Sequence, residues 1–217
     1  MKLPNESKAY GKARNQLLRA EIALRKQVEK VAAQRRKLPA GGEVPEDYAF
    51  TGEKGKVRLS ELFRRGDTLV VYSFMFAPER KEACPGCTHF LDGIDGAARH
   101  IRERLNFVVV AKSPLPRIQE YARSRGWGNF ELLSSEGTTY NRDYFGESAD
   151  GSQMPILNVF RNSKTIRHFY ATELLFAKSE PGQNARHVDP VWSLWNLLDF
   201  TPEGRGKDWY PKLDYRI

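Results

Sequence analysis

Apolar side chains recur at three- and four-residue steps from Tyr10 through Ala13, Leu17, Ala20, Leu24 and Val28 to Val31, with Gly11 the only Gly or Pro between residues 6 and 37. That spacing predicts an N-terminal amphipathic helix carrying a narrow apolar stripe. Pro39-Ala40-Gly41-Gly42 ends it and serves as a linker. From Val44 onward the pattern changes. Tyr48-Ala49-Phe50 reads as a short strand and Leu59 to Phe63 as a helical turn closed by Gly66. Thr68 to Met75 and Asn106 to Lys112 are apolar almost throughout, as strands buried on both faces are. Helical patterns cover 85–104 and Leu115 to Arg125, and Glu131 to Ser134 is a further short strand. After a polar, aromatic stretch from Glu136 to Gln153, Ile156 to Phe160 and Thr165 to Tyr170 form a hairpin, and residues 190–198 a last helix begun by Asp189 as its cap. Crossover units followed by a hairpin describe an α/β fold with a mixed central sheet.

Three regions follow: a basic helical arm and linker over 1–42, the α/β domain over 43–200, and an aromatic C-terminal extension over 201–217 that packs on it. The 217 residues carry 35 Lys and Arg against 27 Asp and Glu, a formal charge of +8. Residues 1–37 hold eleven basic and three acidic side chains and so account for all of that excess, while the remaining 180 residues hold 24 of each. The pI near 9.5 therefore describes the arm, and the body is electrically balanced. The apolar stripe on the arm has a use against a protein surface, either its own domain or a second copy in a homodimer. Nucleic-acid binding would leave the stripe unused and ranks behind. Met1 to Ser7 offers no apolar stretch of signal-peptide length, and no apolar run is long enough to span a bilayer. A cytoplasmic location without membrane attachment is expected.

The candidate chemistry lies in Ala83-Cys84-Pro85-Gly86-Cys87-Thr88, which holds the two cysteines. It falls between the buried strand 68–75 and the start of the next helix. Unsatisfied N–H groups and the positive dipole end there favour a thiolate on Cys84. Pro85 suits the first helical position, where its missing N–H is no loss. One turn on, Cys87 is placed to attack a mixed disulfide on Cys84, so Cys84 is the candidate nucleophile and Cys87 the resolving thiol. Haem attachment would need His after the second cysteine, where Thr88 stands. Zinc would need two further ligands, and His89, His100, His168 and His187 show no companion motif. No metal or organic cofactor is expected.

The strand, the C-P-x-C helix start and Met154-Pro155 opening a hairpin strand are similar to the thioredoxin fold. More closely, the chain resembles a bacterial thioredoxin-like family catalogued as domain of unknown function 899. The resemblance rests on Leu69 to Phe76, Cys84 to Cys87, Leu91-Asp92-Gly93-Ile94-Asp95-Gly96, Tyr140-Asn141-Arg142-Asp143-Tyr144 and Trp195 to Asp199, and runs from the N-terminal helix almost to Tyr215. It implies a three-layer thioredoxin-like architecture. It also implies a cis Pro155 beside the dithiol, with Met154's backbone free to pair with an extended substrate. Two departures stand out. Pro-Gly lies between the cysteines, closer to glutaredoxins than to thioredoxins. No carboxylate interrupts Val70 to Phe74, so the proton acceptor for Cys87 is unassigned. Phe76-Ala77-Pro78 has a peroxiredoxin-like outline, but Glu79 to Ala83 supplies no hydroxyl before Cys84, and peroxidase chemistry is the weaker reading.

Tyr140, Asn141, Arg142 and Tyr144 are candidate substrate-binding residues, since the fold would set them near the dithiol; a covering loop with internal hydrogen bonds is the alternative. The expected function is thiol-disulfide exchange with a protein or a small thiol. The competing reading is a binding module that docks through its basic helix.

Overall fold

The computed structural model describes residues 3–178, 181, 189–206 and 208–215. The chain divides into two units, Met1–Ala40 and Gly41–Ile217. The first is built on helix α1, Lys8–Arg36. Ser7 caps it, its hydroxyl accepting from the Tyr10 backbone N–H at 3.1 Å. Arg35 and Arg36 occupy the last turn, where positive charge suits the free carbonyls. None of the helix's residues is buried.

In the second unit one sheet holds β1 (Ala49–Gly52), β2 (Gly55–Arg58), β3 (Thr68–Ser73), β4 (Asn106–Ala111), β5 (Glu131–Ser134), β6 (Ile156–Asn162) and β7 (Ile166–Ala171), in the order β2-β1-β5-β4-β3-β6-β7. The central strand β3 runs parallel to β4 and antiparallel to β6, and β4 runs parallel to β5. Strand β2 is an addition to the elements that the pattern predicts, since Gly-Lys-Val-Arg carries no apolar alternation. It is an edge strand with only Val57 partly covered, so burial imposed no pattern on it.

The near-continuous apolar runs of β3 and β4 are explained by cover on both faces. Leu69, Val71, Val108 and Val110 pack with Tyr48, Phe50, Leu59, Leu62, Tyr140 and Phe160. Val70, Tyr72, Phe107 and Val109 pack on the other face with residues of α2 (Pro85–Arg102), α3 (Leu115–Arg125) and α5 (Ser193–Leu198). Right-handed crossovers from β3 to β4 and from β4 to β5 place α2 and α3 on that same face. The return from β5 to β6 runs behind the sheet and carries the single-turn helix α4, Tyr140–Asp143. Strands β4-β3-β6-β7, with the dithiol helix leaving the central strand, give the thioredoxin-like α/β fold expected from the sequence.

Two aspartates of α2 fasten it to the turn after α3. Asp92 accepts from Arg125 Nη2 at 2.6 Å and from Trp127 Nε1 at 2.8 Å. Asp95 accepts from the Gly128 and Asn129 backbone N–H groups at 3.0 and 2.8 Å, and from Asn129 Nδ2 at 2.8 Å. The final helix differs from expectation. Asp189–Val191 is a separate 3-10 turn, and α5 begins at Ser193 with Trp192 in the capping position. Trp192 instead turns inward and donates its indole N–H to His89 Nδ1 at 2.6 Å. His187 and Val188 lie outside the described residues. Among the described residues no helix is long and apolar enough to cross a membrane.

Candidate active site

Strand β3 delivers the chain to the dithiol through the loop 74–83. Cys84 N–H donates to Met75 O at 3.2 Å, and Cys84 itself occupies the capping position of α2, with its carbonyl accepting from Thr88 N–H at 2.9 Å. Pro85 is the first helical residue. The cysteines carry free thiols; Cys84 is partly exposed and Cys87 is buried. Cys84 is thus the more accessible of the two.

The surroundings set the two thiols apart. A hydrogen bond from Cys87 pulls Cys84 down to about 6, against the resistance of burial. The backbone N–H groups of Cys87 and Gly86 and the charge of Arg80 add to the pull. Burial pushes the Cys87 thiol up, and the neighbouring Cys84 pushes it further. The Tyr72 hydroxyl is hydrogen-bonded to Cys87 and works in the opposite direction. Burial also pushes Tyr72 well above the ordinary phenol range, so it acts here as a proton donor in a hydrogen bond. Tyr72 stands on the strand where the sequence offered no carboxylate.

Arg117 of α3 holds the loop that carries Arg80. Its Nη1 donates to Ala77 O and Pro78 O, both at 2.9 Å, and its Nη2 reaches Arg80 O and Lys81 O. The guanidinium carbon lies 4.2 Å from the centre of the Phe76 ring. Neither Arg80 nor Arg117 belongs to any local motif. Arg117 acts through contacts across the fold, which spacing along the chain does not report, and it holds the loop that brings Arg80 to Cys84.

A cleft of about 60 Å³ opens at the dithiol, lined by Cys84, Gly86 and Cys87 on one side and Pro155, Ile156 and Leu157 on another, with Tyr72, Phe90, Trp192 and Tyr210 around them. Pro155 therefore lies beside the cysteines. The Met154–Pro155 bond, however, is trans: the described residues contain no cis peptide bond, which corrects the cis expectation. Met154's backbone N–H is also taken, donating to Gly146 O at 3.0 Å, so it is not free for an extended substrate.

The remaining candidates lie elsewhere. Tyr140 is fully buried against the opposite face of the sheet, edge-on to Tyr48 and Phe50 at 5.4 and 5.2 Å between ring centres. Asn141 Oδ1 accepts from Ser135 Oγ at 2.5 Å, and its carbonyl from Glu147 N–H at 2.9 Å. Tyr144 stacks on His168 at 5.6 Å, and Arg142 is exposed, 4.0 Å from the carboxylate of Asp143. Their expected place at the dithiol is corrected: they form a cover behind the sheet. The return path from β5 to β6 forces this, because both crossover helices already fill the dithiol's face.

The chain belongs to the family described as "Bacterial protein of unknown function (DUF899)", whose profile matches residues 1–215. No curated protein matches it. Similar solved structures include peroxidoxin BcpB from Mycobacterium tuberculosis, 20% identical, covering 74% of this chain and 98% of that one with a TM-score of 0.47. A peroxiredoxin-like protein from Aquifex aeolicus is 17% identical, with coverage of 62% and 75% and a TM-score of 0.45. An uncharacterized conserved protein from Geobacillus kaustophilus is 16% identical, with coverage of 78% and 87% and a TM-score of 0.46.

Proposed function

We propose that this protein is a thiol-disulfide oxidoreductase in which Cys84 is the nucleophile and Cys87 the resolving thiol. The observation that carries the reading is the division of labour in the pair: a partly exposed Cys84 drawn down to about 6, backed one helical turn later by a buried Cys87 held as a thiol. At neutral pH Cys84 is largely thiolate, which is the attacking form, and its low affinity for a proton also makes it a good leaving group.

The Cys84 thiolate attacks one sulfur of a substrate disulfide, forming a mixed disulfide and releasing the other sulfur as a thiolate that takes up a proton from water. Cys87 then gives up its proton to solvent or to the departing sulfur. Its sulfur attacks Cys84 Sγ, which expels the second substrate thiol. The substrate disulfide has gained two electrons and two protons, and the protein holds a Cys84–Cys87 disulfide. A dithiol or pair of small thiols restores it by the reverse sequence. Tyr72's hydroxyl supports the step in which charge appears on Cys87.

Replacing Cys87 with Ser removes the second step and leaves the first. Purified Cys87→Ser treated with 2-hydroxyethyl disulfide should accumulate a stable mixed disulfide on Cys84, seen as one added mercaptoethanol by mass spectrometry, where the native protein instead ends with an internal disulfide. Cys84→Ser should form neither. Equal adduct formation by both serine variants would overturn the assignment of roles.

A further inference from the structure

The C-terminal extension crosses the dithiol. Tyr210 lies so close to Gly86 that a Cβ built there would collide with the phenol oxygen and stand 3.1 and 3.3 Å from Cζ and Cε1. Gly86 sits between the two cysteines, so its lack of a side chain is what lets the aromatic ring rest there. The extension is fastened on both sides of that contact. Before it, Arg205 donates to both carboxylate oxygens of Asp199 at 2.9 and 2.8 Å, and Trp209 meets Trp195 edge-on at 5.7 Å. After it, Pro211 is buried and Arg125 Nη1 donates to Leu213 O at 2.8 Å. Tyr210 itself packs on Trp195 at 6.0 Å.

From this contact we infer that Tyr210 is the size gate of the thiol cleft, and that it confines Cys84 to low-molecular-weight disulfides while turning away disulfides of folded proteins. The inference rests on the oxidoreductase reading for the reaction and adds the substrate class. A cleft of about 60 Å³ is well below the ~300–1,000 Å³ of pockets that enclose a drug-sized ligand, and it admits little more than a slender arm ending in sulfur. Its apolar walls suit the methylenes of such an arm. A second observation points the same way. Proteins that take extended peptides at a strand edge give them backbone partners, but here Met154 N–H is held by Gly146 O, and Leu157 exchanges hydrogen bonds with Thr172 at 3.0 and 3.1 Å. These three backbone groups beside the cysteines are therefore already engaged within the fold.

The test compares the full-length protein with Tyr210→Ala, Tyr210→Phe and Gly86→Ala. Cys84 is alkylated with iodoacetamide and with bulky pyrene maleimide above its titration, and the ratio of the two rates is read by peptide mass mapping. Tyr210→Ala should raise the bulky-to-small ratio about tenfold, and Gly86→Ala should do the same by displacing the ring, while Tyr210→Phe keeps the native ratio. An unchanged ratio in Tyr210→Ala overturns the gate whatever the protein's redox activity. Single-turnover oxidation by 2-hydroxyethyl disulfide and by insulin then reads the substrate class. Native protein should react with the first and hardly with the second, and Tyr210→Ala should gain on insulin alone. Native protein oxidised by insulin as fast as Tyr210→Ala also overturns the proposal. If Cys84 is alkylated with the predicted ratios but no disulfide oxidises the protein, the oxidoreductase reading fails while the gate stands.

Discussion

Cys84 is the residue on which the proposed chemistry turns. Its thiol titrates near 6 instead of the ordinary 9.0, so its alkylation rate should climb as pH rises through about 6 and be flat by neutrality. An ordinary thiol would still be gaining rate well above pH 8. Arg80→Gln should move that midpoint upward by a fraction of a pH unit, because Arg80 contributes after the Cys87 and backbone hydrogen bonds and is exposed. Stopped-flow iodoacetamide kinetics across pH 4–10 measures both (a range set by the thiol's ordinary titration). The spacing of the two cysteines and the Pro after the first were legible in the sequence because the interaction is confined to one turn of helix. The parts played by Tyr72 and Tyr210 were not, because each reaches the dithiol from a different stretch of chain, and that of Arg80 was not, because the fold of its loop decides where its charge lies. Tyr72 showed in the sequence only as one more apolar position on a buried strand.

Among the elements, α2 is tied to the end of α3 and the turn beyond it by two carboxylates, which explains a segment that the sequence displayed without its reason. Leu91 to Gly96 supplies a buried Leu91 to the core and two carboxylates to the turn beyond α3. Asp95→Ala strands two backbone N–H groups and an amide, and should lower the unfolding free energy by about 2–3 kcal/mol, read by urea denaturation. A loss below about 0.5 kcal/mol would show that water replaces the carboxylate freely. Strands β3, β4, β6 and β7 and helices α2 and α3 could be read from periodicity because both faces of the central strands are buried and the helix faces are clearly amphipathic. The path from β5 to β6 could not. A dense cluster of Tyr, Asn, Arg and Asp looks alike whether it lines a cleft or closes the back of a sheet. The side was decided by crossover handedness together with the space that α2 and α3 had already taken. Tyr140 is then core, and Asn141 beside it hydrogen-bonds to Ser135 and Glu147 within the cover.

For the whole molecule, the excess positive charge and the dithiol belong to different units. The residues that line the cleft at Cys84 belong to Gly41–Ile217, and all of the +8 lies in residues 1–37. Removing residues 1–40 should therefore abolish binding to a cation-exchange resin near neutral pH and leave the Cys84 alkylation rate within about twofold of the full chain. A large fall in that rate would tie the arm to the site. If Cys84 and Cys87 form one reversible redox couple, an equilibrium redox titration shows it. The full-length protein is poised in mixtures of reduced and oxidised dithiothreitol, quenched in acid and its free thiols labelled. Both thiols should disappear together in a single two-electron transition, with a mass loss of two hydrogens and no added small molecule, and Cys84→Ser should show no transition. Two thiols that remain free across the whole range, or a disulfide that forms only between chains, would contradict it.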